Sequence, residues 1–226
     1  MSQPVAAPLR PVPVESPAPA VVPRFNKSAR SIDDPASIWA VVNKQRPLKP
    51  VDYVPGDLVP VPVPHVWAPE LRLEAAGAVA AMFGVFQQET GLQMQSQSSY
   101  RSYTTQLEVY NDEVAAHGQA AADLSTARPG SSEHQTGLAI DISALPAACS
   151  LAACFGGTPQ GRWLAENSWR FGFLLRYPAD KASVTGYEYE PWHFRYIGLD
   201  LAREMHDSGT TTLEEFFGLP AAATYP

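Results

Sequence analysis

The sequence predicts an α+β domain, a small antiparallel sheet with helices packed around it, preceded by a Pro-rich N-terminal tail. Three observations predict it. Helix-like apolar patterns come first, between residues 69 and 117, and short alternating segments cluster later, between 138 and 197. The 226 residues are 45% hydrophobic and only 17% charged, enough for one sizeable core. Proline is uneven: residues 1–64 hold fourteen of the 22, so the front of the chain differs in kind from the rest.

Residues 1–30 form a Pro/Ala/Val tract without apolar periodicity. Proline fixes φ and donates no hydrogen bond, so this stretch reads as a semi-rigid spacer or disordered tail. It lacks the basic start and continuous apolar run of a secretory signal, and no run of about 18 apolar residues could span a bilayer. The domain proper is expected over 31–226. Within it, 31–64 reads as an ordered strap anchored by Ile38, Trp39, Val41, Val42, Tyr53, Leu58 and Val59.

Pro69 and Glu70 suit a helix start, and Leu71, Leu73, Ala76, Val79, Ala80, Phe83 and Phe86 give an apolar face up to Gly91. Leu92 and Met94 alternate with glutamines, which predicts a short strand. A second helix is expected over 103–117, with Leu107, Tyr110 and Val114 on one face and Gly118 as its stop. LAIDIS, residues 138–143, reads as a strand. A helix around 160–171 carries Trp163 and Leu164. Residues 184–197 read as strand, turn, strand, and Leu199–Asp207 as a helix. Thr212 with Glu215 forms a capping-box pattern before Phe216 and Phe217.

The formal net charge is -7, so the basic footprint of a nucleic-acid binder is missing. Cys149 and Cys154 sit five residues apart in a small-residue loop. A zinc ribbon would need a second C-x-x-C pair, which is absent; the two are either a local disulfide or two buried thiols.

Two of the five histidines keep unusual company. His134 precedes Asp141 in EHQTGLAID, and His193 follows Glu190 in EPWH. Zinc takes imidazole nitrogen and carboxylate oxygen, and a catalytic zinc keeps three protein ligands with one open position. His134, Asp141 and His193 supply such a set. On the 138–143 strand Asp141 points away from Ile140 and Ile142, so the carboxylate faces a cleft while the isoleucines face the core. Pro191 excludes a helix across Glu190 and His193, so Glu190 approaches the site across a turn, placed as a general base. Arg101 offers a guanidinium fork for a terminal carboxylate or an oxyanion. Tyr100, Tyr103 and Trp192 are candidate pocket walls. Glu133 and Glu188 are acidic neighbours; Glu188 reads as a solvated group on one strand face with Glu190. His117 and His206 sit near helix ends, where a cation is favourable.

Taken together, SSYRSYTTQLEVYN, RPGSSEHQTGLAIDIS and GYEYEPWHFRYIG resemble the VanY-type D-alanyl-D-alanine carboxypeptidases. These belong to a zinc peptidase group that includes the D-Ala-D-Ala dipeptidases and the hedgehog-type fold. The lead-in VVNKQRPLKPVDYVPGDLV is similar too, and the likeness spans roughly residues 37–217. The resemblance implies zinc held by His134, Asp141 and His193, Glu190 as catalytic base, and Arg101 against the reacting carbonyl or the substrate carboxylate. It places Ser132 and Gln106 along the substrate site. The implied activity is that of a zinc D,D-carboxypeptidase trimming D-alanine from peptidoglycan stem peptides in the bacterial envelope. A monomer is expected, exported or anchored through a segment outside this sequence. The alternatives are an L,D-carboxypeptidase acting on tetrapeptide stems, a cross-bridge endopeptidase, and a non-catalytic cell-wall binding module. Glu190 argues against the last, since a structural zinc site has no use for a base.

Overall fold

A computed structural model describes residues 25–226 of the chain. Most of the tail expected over 1–30 therefore lies outside the described residues. Its last part packs: the Phe25 ring sits 5.5 Å from Trp39 and 5.8 Å from Phe216, and the Lys27 ammonium donates to the Phe216 carbonyl. Among the described residues, packing is present at Phe25, ahead of Ser31, because an aromatic ring beside Trp39 gains buried area. The following strap is ordered. Ile38, Trp39, Val41, Val61 and Val63 are buried in the main core.

Strand β1 (Leu58–Pro60) pairs antiparallel with β2 (Glu70–Arg72). The helix expected from Pro69 instead starts at Leu73. Leu71 is fully buried by pairing with Val59 in this ribbon, and Arg72 is extended (φ −61°, ψ 146°). Helix α1 (Leu73–Thr90) then buries Ala76, Val79, Met82, Phe83 and Phe86. Each large side chain so buried contributes about 1.5–3 kcal/mol. Gly91 stops the helix in the left-handed conformation (φ 72°), where a β-carbon would be strained.

Strand β3 (Gln93–Ser98) leads to α2 (Tyr103–His117) and α3 (Gln119–Ser125). The α2 bounds match the expected ones: Ser102 caps its start by accepting from the Thr105 N–H, and Gly118 follows its end. The expected apolar face does not enter the core. Leu107 is 40% exposed, and Gln106 is the one buried residue of the helix. The helix covers the cleft with a polar side chain, which is why its periodicity misled.

The central sheet has four antiparallel strands in the order β3-β4-β6-β5. Strand β4 (Ala139–Leu145) lies between β3 and β6 (His193–Tyr196), and β5 (Phe173–Leu175) closes the far edge. Ile140, Ile142 and Phe194 belong to one fully buried cluster with Met82 and Phe86 of α1. The helix expected over 160–171 is split into α4 (Pro159–Asn167) and a 3-10 turn, Ser168–Phe171. Residues 184–197 do not form a hairpin. Helix α5 (Ala182–Thr185) and an irregular stretch precede β6, whose actual partners are β4 and β5. Pro191 removes an amide donor there, so regular pairing begins only at His193. Helices α6 (Leu199–Ser208) and α7 (Leu213–Phe217) finish the domain, the latter capped by Thr212 accepting from the Glu215 N–H. Cys149 and Cys154 form a disulfide. Among the described residues, no helix is long and apolar enough to cross a membrane.

Candidate active site

The sheet register builds the site. Asp141 on β4 lies opposite His193 on β6 and opposite Ser98 on β3, beyond a bulge between Ser96 and Ser98. Directly opposite side chains share a face, so Asp141 and His193 emerge together. His134 comes from a 3-10 turn, Glu133–Thr136, that ends at Gly137 (φ 66°). A β-carbon at Gly137 would lie 2.8 Å from the Leu58 side chain and 3.0 Å from that of Arg72. The close approach that glycine permits is therefore to the β1–β2 ribbon. His134, Asp141 and His193 each offer a ligand-type atom, all within 4.8 Å of one another, and all three residues are buried.

Hydrogen bonds fix both imidazoles. His134 Nδ1 donates to the Ser99 carbonyl at 2.6 Å, because a carbonyl only accepts. The other nitrogen, Nε2, then faces Asp141 Oδ2 at 3.2 Å, lone pair against carboxylate. Burial lowers the His134 pKa, against the opposing pull of Asp141, so a proton does not readily fill that gap. His193 presents Nε2 to Glu133 Oε2 at 3.4 Å and Nδ1 to Asp141 Oδ1 at 3.0 Å. Burial alone would lower its pKa too, but hydrogen bonds to Asp141 and Glu133 and the nearby carboxylate charges push it up to about 9. The pocket favours positive charge between these groups.

Glu190 enters across a turn. The Glu190 carbonyl accepts from the His193 N–H at 3.1 Å, so Glu190-Pro191-Trp192-His193 closes with proline at its second position. A Glu190 carboxylate oxygen lies 3.8 Å from His193 Nδ1. Burial pushes the Glu190 carboxyl up to about 8; His193 and Arg101 oppose this, while Asp141 and Glu133 add to it. Arg101 sits just before the α2 cap and donates to Gln106 Oε1 at 3.0 Å and to Ser98 Oγ at 2.9 Å. Gln106 is held in turn by the Ala127 carbonyl at 2.7 Å. Among the described residues Arg101 has no carboxylate partner in contact, so a mostly buried cation has only neutral acceptors.

These groups share one cleft of about 520 Å³. Arg101, Gln106, Ser132, His134, Asp141, Glu190, Trp192 and His193 all line it; Tyr103 does not. Tyr103 opens α2 and is half-buried elsewhere. Glu188 lines the rim but is exposed, and it shares no strand with Glu190 because no strand forms there.

Sequence reasoning missed the buried ionic network beneath the site. Glu133 Oε1 receives Arg176 Nε at 2.8 Å and Arg195 Nη1 at 3.0 Å, and Arg176 also pairs with Glu214 at 2.7 Å. Asn43 donates to Glu214, and Arg195 donates to the strap carbonyls of Ile38 and Ala40. The signal was present: Arg176 and Arg195 interrupt otherwise apolar stretches, FLLRY and HFRY, where an unpaired charge would be too costly. Glu133 and Glu214 balance Arg176 and Arg195. With both imidazoles neutral and Glu190 ionised, Asp141 and Glu190 outweigh Arg101 by one negative charge, a balance that suits a divalent cation better than a proton on His193.

Comparison with known proteins places the chain in a family. Residues 68–199 match the family model described as VanY, D-alanyl-D-alanine carboxypeptidase. A putative carboxypeptidase, YodJ of Bacillus subtilis (strain 168), is 42% identical over 192 residues, covering 83% of this chain and 69% of its own length. The structure of the LdcB LD-carboxypeptidase superposes with a TM-score of 0.74 at 41% identity, covering 81% of this chain and 87% of that one. A vancomycin-resistance D,D-pentapeptidase VanY in complex with Zn(II) gives a TM-score of 0.65 at 33% identity, covering 80% and 98%. The family model covers more than half of the chain, and the relatives and solved structures carry carboxypeptidase or VanY names: the chain belongs to the VanY family of D-alanyl-D-alanine carboxypeptidases.

Proposed function

We propose that the chain is a zinc-dependent carboxypeptidase that removes the terminal D-alanine from peptidoglycan stem peptides. The observation that carries this reading is the buried His134/Asp141/His193 cluster with Glu190 3.8 Å from His193 and the carboxylate-free cation Arg101 in the same cleft. Two imidazole nitrogens and one carboxylate oxygen suit zinc with an open position. Bound there, zinc supplies Lewis-acid polarisation of the scissile carbonyl and lowers the pKa of a water molecule. His134 would offer Nε2 and His193 Nδ1, since the Ser99 carbonyl and Glu133 can hold the other ring N–H groups, and His193 would give up its Nδ1 proton on binding. A divalent charge beside Asp141 also favours ionised Glu190 over the protonated form that burial promotes. Glu190 then takes a proton from the attacking water and returns it to the leaving amine. Arg101 holds the terminal carboxylate or the developing oxyanion. Ser132, Gln106 and Trp192 line the peptide path.

The bond cleaved is either the D,D bond of a pentapeptide, which the sequence reading put first, or the L,D bond of a tetrapeptide. Of the two solved structures compared above, the likeness is greater to the L,D enzyme (TM-score 0.74 against 0.65), and we rank the tetrapeptide first. Incubating the purified chain with UDP-muramyl pentapeptide and tetrapeptide, followed by mass spectrometry, decides between them. Loss of one alanine from the tetrapeptide supports the L,D reading, and loss from the pentapeptide alone supports the D,D reading. Loss from neither removes the proposed function.

A further inference from the structure

Neither burial nor backbone preference accounts for a leucine at position 151. Its backbone is left-handed (φ 50°), as is that of Cys149 (φ 55°), a conformation unfavourable to residues with a β-carbon. The Leu151 side chain is 49% exposed, so the core does not offset that cost. Yet Leu151, with Ala152 and Ala153, lines the same cleft as Arg101, Glu190 and His193. The loop is tied down on both sides. The disulfide closes it, and the Gln97 amide from β3 donates to Ser143 Oγ at 2.6 Å and to Ser150 Oγ at 3.4 Å. Beyond Cys154, a β-carbon on Gly156 would lie 2.3 Å from the Tyr189 hydroxyl and 3.2 Å from Pro191. The far end of the loop therefore rests directly on the turn that carries Glu190.

We propose that Leu151, presented by the loop closed by Cys149 and Cys154, is a specificity-determining residue that packs on an aliphatic side chain of the substrate peptide two or more residues before the scissile bond. The proposal rests on the carboxypeptidase reading above. A carboxypeptidase holds its substrate by the terminal carboxylate, so the chain continues from the scissile bond in one direction only. The cleft of about 520 Å³ is far larger than one alanine requires, and Leu151, Ala152 and Ala153 supply it with an apolar wall that none of the catalytic groups needs.

The test compares wild type with Leu151→Asn. Asparagine accepts the left-handed conformation, so the loop keeps its geometry while the apolar contact goes. KM and kcat are measured on stem tetrapeptide and pentapeptide, and on N-acetylated dipeptides with the same terminal residues, which lack every residue more than one before the scissile bond. The expected result is that the ratio of KM for the stem peptide to KM for its dipeptide rises about tenfold, the lower end of what one aliphatic contact in a pocket discriminates. An equal change on long and short substrates, or no change on either, overturns the proposal. If the wild type cleaves neither stem peptide, the carboxypeptidase reading fails separately. Titration calorimetry with the stem tetrapeptide then tests Leu151 alone: about tenfold weaker binding by Leu151→Asn supports the contact, and equal affinity overturns it.

Discussion

Asp141 and His193 sit directly opposite each other on adjacent strands, and their side chains meet at 3.0 Å, Oδ1 to Nδ1. The candidate metal cluster is thus a product of sheet register. A slip of one residue would turn Asp141 into the core and bring an isoleucine to the cleft. The third member, His134, is fixed from the other flank of the same sheet, through the Ser99 carbonyl just past the end of β3.

One zinc per chain is therefore expected in metal analysis of protein purified without chelator or added metal. His134→Ala or His193→Ala should lose metal and activity together. A return well under half an equivalent from the wild type counts against the site.

Glu133→Gln should be costly in two ways. Glu133 is fully buried and serves Arg176, Arg195 and His193 at once. Glutamine retains one acceptor but turns an amide N–H toward groups that are themselves donors. Removing one partner of a buried ionic network costs about 3–5 kcal/mol, readable in urea unfolding. Zinc affinity should fall about 10–100-fold, as when the group orienting a ligand histidine is lost. Wild-type stability in this variant would show that the two arginines find other partners.

Acid should destabilise the chain through Glu214. Burial alone would raise its carboxyl, but the Arg176 charge and hydrogen bonds from Arg176 and Asn43 outweigh burial and hold it below the ordinary value of 4.5. Such a group is still ionised in the folded chain at pH values where the unfolded chain has protonated it. Its contribution is full well above pH 4.5 and drains away as the pH falls below that value. In chelator-treated protein, Glu214→Gln should lower stability at pH 7 and flatten the loss of unfolding free energy below pH 4.5. A slope unchanged from wild type assigns the acid sensitivity to other carboxyls.

Opening the disulfide should cost little in stability. The loop between Cys149 and Cys154 is short, so in the chain-entropy model its closure contributes about 2 kcal/mol. Thermal unfolding of the Cys149→Ser, Cys154→Ser double variant checks this, and a loss several times larger would mean that the loop also organises the turn it rests on.

The sequence displayed the cluster because its residues occur in two short stretches whose local rules are simple. Alternation in LAIDIS separates Asp141 from Ile140 and Ile142, and Pro191 forces the Glu190 turn. The α2 bounds followed from Ser102 and Gly118, which act locally. What was hidden is non-local. Leu71 reads as helical until Val59 is known to pair with it, and β5 is only three residues, FLL, whose pairing with β6 no neighbouring residue announces. The Glu133–Arg176–Glu214 network joins positions 38 to 43 residues apart in sequence, and Phe25 packs on Trp39 and Phe216, both distant in sequence.

Glu190 carries the sharpest prediction. If it is the general base, Glu190→Gln removes the proton acceptor yet nearly preserves shape and hydrogen-bonding reach. Zinc should stay bound, because His134, Asp141 and His193 are untouched, and folding stability should change little, since a carboxyl that burial already pushes up to about 8 is replaced by a neutral isostere. Turnover should fall by about 10²–10⁴-fold, the range for losing a general base. Glu188 is the internal control: it lines the same cleft but is exposed, and Glu188→Gln should cost far less. Wild-type activity in the Glu190 variant sinks the mechanism. Loss of zinc in that variant would recast Glu190 as a ligand and leave the proton without an acceptor.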